Sequence, residues 1–259
     1  LTELNLPVIP GYIVSSFDYA KECFLKLKKQ GFKKILLKKE RSVAGFGIWA
    51  VESFKDFNKC LEENFNNQKS FLIEAFIDKI YFSSNIQYWL SKDKIRFMAV
   101  SDQIFKNNLF AHAGNIYPSK LKSTMDTQNK VYEFSEKICR YLQKQKCYGL
   151  VGIDIIVTRD SNIYSSEVNA RLNASTFAAL LIRELFGKDE VCWKSFTYHT
   201  NQIRVDDFFK KNADIIIDKN KKFGIFPIDM GPLNAIGEAQ LVSIGKTIGE
   251  VNQYINMLK

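Results

Sequence analysis

Residues 150–170 most limit what this chain can fold into: two strand-like runs, 150–157 (LVGIDIIV) and 163–170 (IYSSEVNA), are separated only by TRDSN. So short a linker permits an antiparallel pair and excludes a parallel crossover, which needs about a dozen residues or more. Val151, Ile153, Ile155 and Val157 alternate onto one face and form its core side. With the turn centred between Asp160 and Ser161, antiparallel partner numbers total 321, which sets Asp154 across from Glu167. Cross-strand partners hold their Cβ atoms about 5 Å apart, and Asn169 shares the Glu167 face. Two facing carboxylates repel at neutral pH unless a cation sits between them or one is protonated. Mg2+, or Mn2+ in its place, suits three converging oxygen donors, because it prefers hard ligands and commonly bridges carboxylates to nucleotide phosphates. Arg171, two residues beyond Asn169, would neutralise a phosphate oxygen. The same residues also suit a salt-bridged strand end in which Arg171 pairs with a carboxylate.

The rest of the chain reads as α+β. Phe17, Ala20, Phe24 and Leu27 recur at helical spacing before Gly31, and KKILLK over 33–38 reads as a strand. IWAV, a helix over 53–65, and a strand FLIEAFI over 71–77 follow. Residues 80–106 form a long hairpin signal broken by SKD, and NNLFAHAGNIYPSKL reads as an irregular connection. Val131, Phe134, Ile138, Tyr141 and Leu142 mark a helix over 124–146, and another begins near Ser175. Toward the C-terminus, IIID, FGIFPI and AQLVSIG read as strands before a final helix, packed onto the same sheet as one lobe. The 259 residues divide into a small lobe over 1–80 and a large lobe over 81–259.

Composition removes several function classes. No apolar run approaches the roughly 20 residues of a membrane helix, and the N-terminus lacks a signal-peptide pattern. Five scattered cysteines without a CxxC pair suit a reducing cytoplasm, and two histidines argue against a zinc cluster. The net charge of +9 favours anionic ligands, but its lysines are spread as on solvated faces. Neither an RNA-binding aromatic motif nor a concentrated basic stripe is present, which argues against nucleic acid. Neither a G-x-S-x-G elbow nor a Cys-His pair at a recognisable motif points to hydrolase chemistry.

KKERSVAGFG, over 38–47, places a lysine at a strand end before two glycines whose backbone N–H groups can approach phosphate. It matches neither a Walker A motif nor the kinase GxGxxG. Four elements in order, ILLK ending at Lys38, this loop, FLIEAFI with Glu74, and GIDIIV followed by EVNARLNAST, make the chain resemble an ATP-grasp protein over residues 7 to about 185. LPVIPGYIVSS also resembles the segment that leads into such domains. The resemblance implies two α+β lobes with ATP clamped between antiparallel sheets, and an N-terminal lobe preceding Leu1 that is absent here. An ATP-binding lysine that family members carry upstream has no counterpart.

On this resemblance Lys38 contacts ATP phosphates, and the loop of Ser42, Val43, Ala44, Gly45 and Gly47 closes over them. Glu74 with the backbone of Ala75, Phe76 and Ile77 holds the adenine, although Glu74 could equally cap its strand. Asp154, Glu167 and Asn169 bind magnesium, and Arg171 stabilises the reacting phosphoryl group. SSNIQYWL, SDQIF and HAGNIYP resemble bacterial ligases joining amino acids or peptides, the pheganomycin-type peptide ligases in particular. That implies ADP-forming ligation of a small-molecule or peptide carboxylate to an amine through an acyl phosphate, and is compatible with a homodimer. Ser84, Gln87, Gln103 and His112 either line the cleft or form the wet face of the hairpin, the plainer reading. His112 is either a base toward the amine or a structural loop histidine. A kinase of the same fold and a non-catalytic ATP-binding module are the competing readings.

Overall fold

The computed structural model describes residues 1–41, 45, 47–106, 110–123, 125–187 and 191–259. The loop positions Ser42, Val43 and Ala44 lie outside the described residues. The chain forms two compact units, one of Leu1–Tyr81, Phe105–His112 and Ile156–Ser166, the other of Phe82–Ile104, Ala113–Ile155 and Glu167–Lys259.

The first unit contains β1 (Gly11–Val14), α1 (Phe17–Lys29), β2 (Ile35–Lys39), β3 (Ile48–Val51), α2 (Phe54–Asn64) and β4 (Phe71–Ala75). The strands pair antiparallel in the order β1-β4-β2-β3. Both helices begin at a serine, Ser16 and Ser53, whose side chain accepts from a backbone N–H three residues on. Helix α1 buries Ala20, Cys23, Phe24 and Leu27, and α2 buries Phe57, Cys60 and Leu61, so one apolar stripe of each faces the sheet. Ile35, Leu37 and Ile73 alternate into that core. The other sheet face receives Ile13, Leu36, Lys38, Leu72 and Glu74, as the register Ile13↔Leu72 and Leu36↔Glu74 requires.

The second unit is built on an eight-stranded sheet. Its elements are β5 (Ile80–Leu90), β6 (Ile95–Phe105), β7 (His112–Tyr117), α3 (Met125–Lys144), β8 (Gly149–Thr158) and β9 (Ile163–Asn169), followed by α4 (Ala174–Phe186) and β10 (Cys192–His199); residues 80–81, 105, 112 and 156–166, at the ends of these strands, fall in the first unit. The chain then continues through α5 (Val205–Lys211), β11 (Gly224–Asp229), α6 (Leu233–Ile236), β12 (Glu238–Gly245) and α7 (Ile248–Asn256). The sheet order is β11-β12-β10-β7-β6-β5-β8-β9. Val151, Ile153, Ile155 and Val157 are fully buried, as their alternation requires.

Three segments depart from the sequence reading. HAGNIY, expected to be irregular, is the strand β7 between β6 and β10; it pairs residues about 80 positions away, such as Ile116↔Lys194. CWKSFTYH, which carried no assignment, is β10, pairing with both β7 and β12. IIID is not a strand: Ile216 bridges Ile225 and Asp218 bridges Lys221 as isolated contacts that build no ladder. No helix among the described residues is long and apolar enough to cross a membrane.

Candidate active site

In the first unit the Lys38 ammonium forms an ion pair with the Glu74 carboxylate. Glu74 lies opposite Leu36 and Lys38 opposite Leu72, so the two charges are diagonal neighbours on the face away from the core. Both side chains are largely withdrawn from water, 18% and 11% exposed, while Ile13 beside them is 77% exposed. A largely buried ion pair beside the exposed Ile13 side chain can take a phosphate by exchange at the lysine. The N–H groups of Ala75 and Phe76 donate to Pro10 and Lys34, so neither serves a base, and Ile77 is the remaining hinge amide of the three.

The loop after Lys38 closes on a bond from the Lys39 N–H to the Gly47 carbonyl, 3.0 Å. Gly45 has φ 83°, and a Cβ there would run into the Phe110 carbonyl oxygen. Only glycine satisfies both conditions.

The strand pair β8–β9, whose turn belongs to the first unit, closes differently from the sequence reading. The Thr158 N–H donates to the Asn162 carbonyl (3.0 Å), the Ser161 N–H donates to the Thr158 carbonyl (3.0 Å), and Ser161 has φ 62°. The loop therefore has three residues with a left-handed third, and partners near the turn total 320. Counted from there, Ser166 rather than Glu167 is Asp154's counterpart. The Asp154 and Glu167 carboxyls are nonetheless hydrogen-bonded to each other, so the parity set at the turn is not kept to the open end. Glu167 and Val168 are both exposed before Asn169 is buried, which breaks alternation at the same place.

Burial pushes the Asp154 carboxyl up to about 7; amide donation from Asn85 opposes the shift, the neighbouring Glu167 charge adds to it, and Gln103 opposes it. Two carboxyls in contact, one of them buried, with Asn169 two residues along, are hard oxygen donors that suit a divalent cation. Arg171 lies beyond the end of β9; its guanidinium donates to the Leu172 carbonyl (3.0 Å). Among the described residues it forms no ion pair with either carboxylate, so the salt-bridged strand end is not what forms.

The polar residues of β5 are not a wet face. Ser84, Asn85 and Gln87 are all buried, because residues 82–88 of this strand are covered on both sides. Ser84 donates to Asp102 (2.6 Å), which also accepts from Ser119 and from the Lys120 backbone. Gln103 accepts from Ser83 (2.7 Å) and reaches Asp154. Asn85, which the sequence reading passed over, donates to Asp154 Oδ1 at 2.5 Å. Its one sequence signal was a run of polar residues inside a long strand. His112 opens β7 and is half-buried.

Gly152, two residues before Asp154, leaves room for this network: a Cβ there would strike the Asn173 amide and come within 3.1 Å of the Asn85 amide. Gly152→Ala is therefore expected to destabilise the protein by about 1–3 kcal/mol, measured as a lower denaturation midpoint at unchanged slope.

A family model described as an ATP-grasp domain matches residues 9–175. A curated relative, the [butirosin acyl-carrier protein]–L-glutamate ligase of Niallia circulans, is 27% identical over 183 residues, which is 68% of this chain. The chain spans 42% of that relative's length. Among solved structures, the carboxyaminoimidazole ribonucleotide synthase of Aspergillus clavatus complexed with ATP superposes with a TM-score of 0.73 at 13% identity, over 100% of this chain and 69% of that one. An ADP complex of N5-carboxyaminoimidazole ribonucleotide synthetase gives 0.73 at 14% identity, over 99% and 68% of the two chains. Biotin carboxylase of Campylobacter jejuni gives 0.70 at 12%, over 100% and 64%. At these identities the structural likeness concerns the fold alone.

Proposed function

The chain belongs to the ATP-grasp family, and from that premise we propose that it is an ADP-forming ligase joining a carboxylate to an amine on amino acids or peptides. The observation that carries the reading is the contact between the Asp154 and Glu167 carboxyls at the open end of the β8–β9 pair. Such a contact is costly unless a cation or proton occupies it, and it falls on the residues to which the resemblance to the family assigns the metal. Asp154, Glu167 and Asn169 would hold Mg2+ or Mn2+, which supplies charge neutralisation on ATP phosphates when bound.

The chain's own groups then have assignable tasks. Lys38 and the loop through Gly45 and Gly47 take the phosphates, and Glu74 with Ile77 takes the nucleoside side. Arg171, exposed and unpaired with either carboxylate, stabilises the moving phosphoryl group. A substrate carboxylate oxygen bonds to the γ-phosphorus as ADP departs with the bonding electrons. The amine then attacks the acyl carbon, phosphate leaves, and the amine proton passes to solvent.

The test is ADP and phosphate release with pairs of carboxylates and amines, starting from L-glutamate, the amino acid in the name of the curated relative. Release only when both substrates are present, with an amide product, is expected. A stable phosphorylated hydroxyl product would mean a kinase, and tight ATP binding without turnover on any pair would mean a binding module. Arg171→Lys is expected to bind ATP normally yet turn over at least roughly tenfold more slowly, since lysine cannot hold two oxygens in a planar fork.

A further inference from the structure

We propose that Asn85 is a positioning residue for this reaction, holding Asp154 in the orientation that receives the metal and tying it, through Gln87 and Asn173, to the segment that carries Arg171. The proposal rests on the reading of Asp154 as a metal ligand.

Asn85 stands on β5, the sheet neighbour of β8, and is 3% exposed. Its Nδ2 donates to Asp154 Oδ1 at 2.5 Å, while its Oδ1 accepts from Ser175 Oγ at 2.7 Å and from Gln87 Nε2 at 2.8 Å. That pattern admits one amide orientation. A flip would set the amide oxygen against the Asp154 carboxyl and the NH2 against Ser175 and Gln87. One Asp154 oxygen is thus tied down by a neutral donor that adds no charge to the site.

Gln87, two residues along the same face, extends the tie. Its Nε2 also donates to Asn173 Oδ1 at 2.6 Å, and its Oε1 accepts from Thr176 Oγ1 at 2.8 Å. Asn173 caps α4 through a capping box with Thr176, and it lies two residues after Arg171. The residues between Asn169 and Asn173, Arg171 among them, are therefore anchored at both ends. A purely structural role explains this poorly: amides in the middle of a doubly covered strand cost desolvation that apolar side chains of the same size would not. Groups behind a metal ligand that fix its orientation are known to control affinity and turnover.

The experiment titrates Mn2+ in the presence of ADP, without turnover, into the parent protein and into Asn85→Leu, Ser175→Ala and Asp154→Asn, with melting temperature and kcat measured alongside. Asn85→Leu is expected to weaken Mn2+ binding by about ten- to a hundredfold and to lower kcat similarly, with KM for ATP at saturating metal little changed. Ser175→Ala, which removes one of two donors to Asn85 Oδ1, is expected to weaken Mn2+ roughly threefold to fivefold; it decides the matter if Asn85→Leu does not fold. Unchanged Mn2+ affinity in folded Asn85→Leu or in Ser175→Ala, while Asp154→Asn loses it, overturns the positioning role and leaves the metal reading standing. Unchanged affinity in Asp154→Asn overturns both.

Discussion

Asp154→Asn is expected to reduce ATP turnover by at least about a hundredfold, since removing a charged ligand forfeits several kcal/mol of phosphate charge stabilisation, and yet to leave the metal-free protein as stable as the parent or more so. Asparagine is isosteric, still accepts the Asn85 amide hydrogen, and its own NH2 can donate to Glu167. The sign of the stability effect follows from the Asp154 pKa. Burial and Glu167 raise it to about 7 in the folded protein, against about 3.9 in an unfolded chain. Below about pH 4 the carboxyl is protonated in both states and burial carries no ionisation penalty. As pH rises from 4 to 7 the unfolded chain gives up the proton while the folded protein retains it or bears a buried charge, so stability is lost across that window and the full penalty applies above it. Asparagine has no such slope. In chelator the melting temperatures of parent and variant should therefore agree near pH 4 and separate in favour of the variant by pH 8, by a few degrees for a chain of this size. A variant that melts far below the parent at every pH would show the carboxyl pair to be structural.

Lys38→Met should act on both nucleotide binding and stability. Removing the ammonium leaves Glu74, whose side chain is 11% exposed, facing a thioether. Breaking one side of a buried ion pair costs about 3 kcal/mol, seen as a lower denaturation midpoint. A charged hydrogen bond to phosphate is lost as well, so ATP affinity should fall roughly ten- to a hundredfold. Lys38→Met combined with Glu74→Gln separates the two effects. With both partners neutral, stability should return to within about 1 kcal/mol of the parent, while ATP affinity stays low. Affinity recovered together with stability would mean that the pair only braces the sheet and that Lys38 does not touch phosphate.

The residues proposed for phosphate and metal could be singled out because each belongs to a short segment whose geometry is local. TRDSN forces β8 and β9 together, but the turn was misjudged by one residue, with Ser161 left-handed at its third position, and by alternation alone that slip would put Glu167 on the face opposite Asp154. The contact between the two carboxyls goes with the break in alternation at Glu167 and Val168, which the turn does not encode. Lys38 and Glu74 were each singled out, but not as partners. Strand alternation shows which face each occupies, not that β2 lies beside β4 with Lys38 diagonal to Glu74.

What the sequence determined by itself is the helices α1, α2, α3, α4 and α7, the glycine-bearing loop and the alternating core of β8, since periodicity acts over a few residues; the short helices α5 and α6 were not read. Tertiary structure alone decided that HAGNIY and CWKSFTYH become inner strands, because they pair with each other across about 80 residues and their composition carries little apolar alternation. It also decided that the polar residues of β5 are buried rather than wet. Asn85 finds Asp154 69 residues along the chain, and Gln87 finds Ser175 after 88. A second covering layer turns an exposed polar face into one whose every amide must be paired, and no local pattern encodes which distant side chain does the pairing.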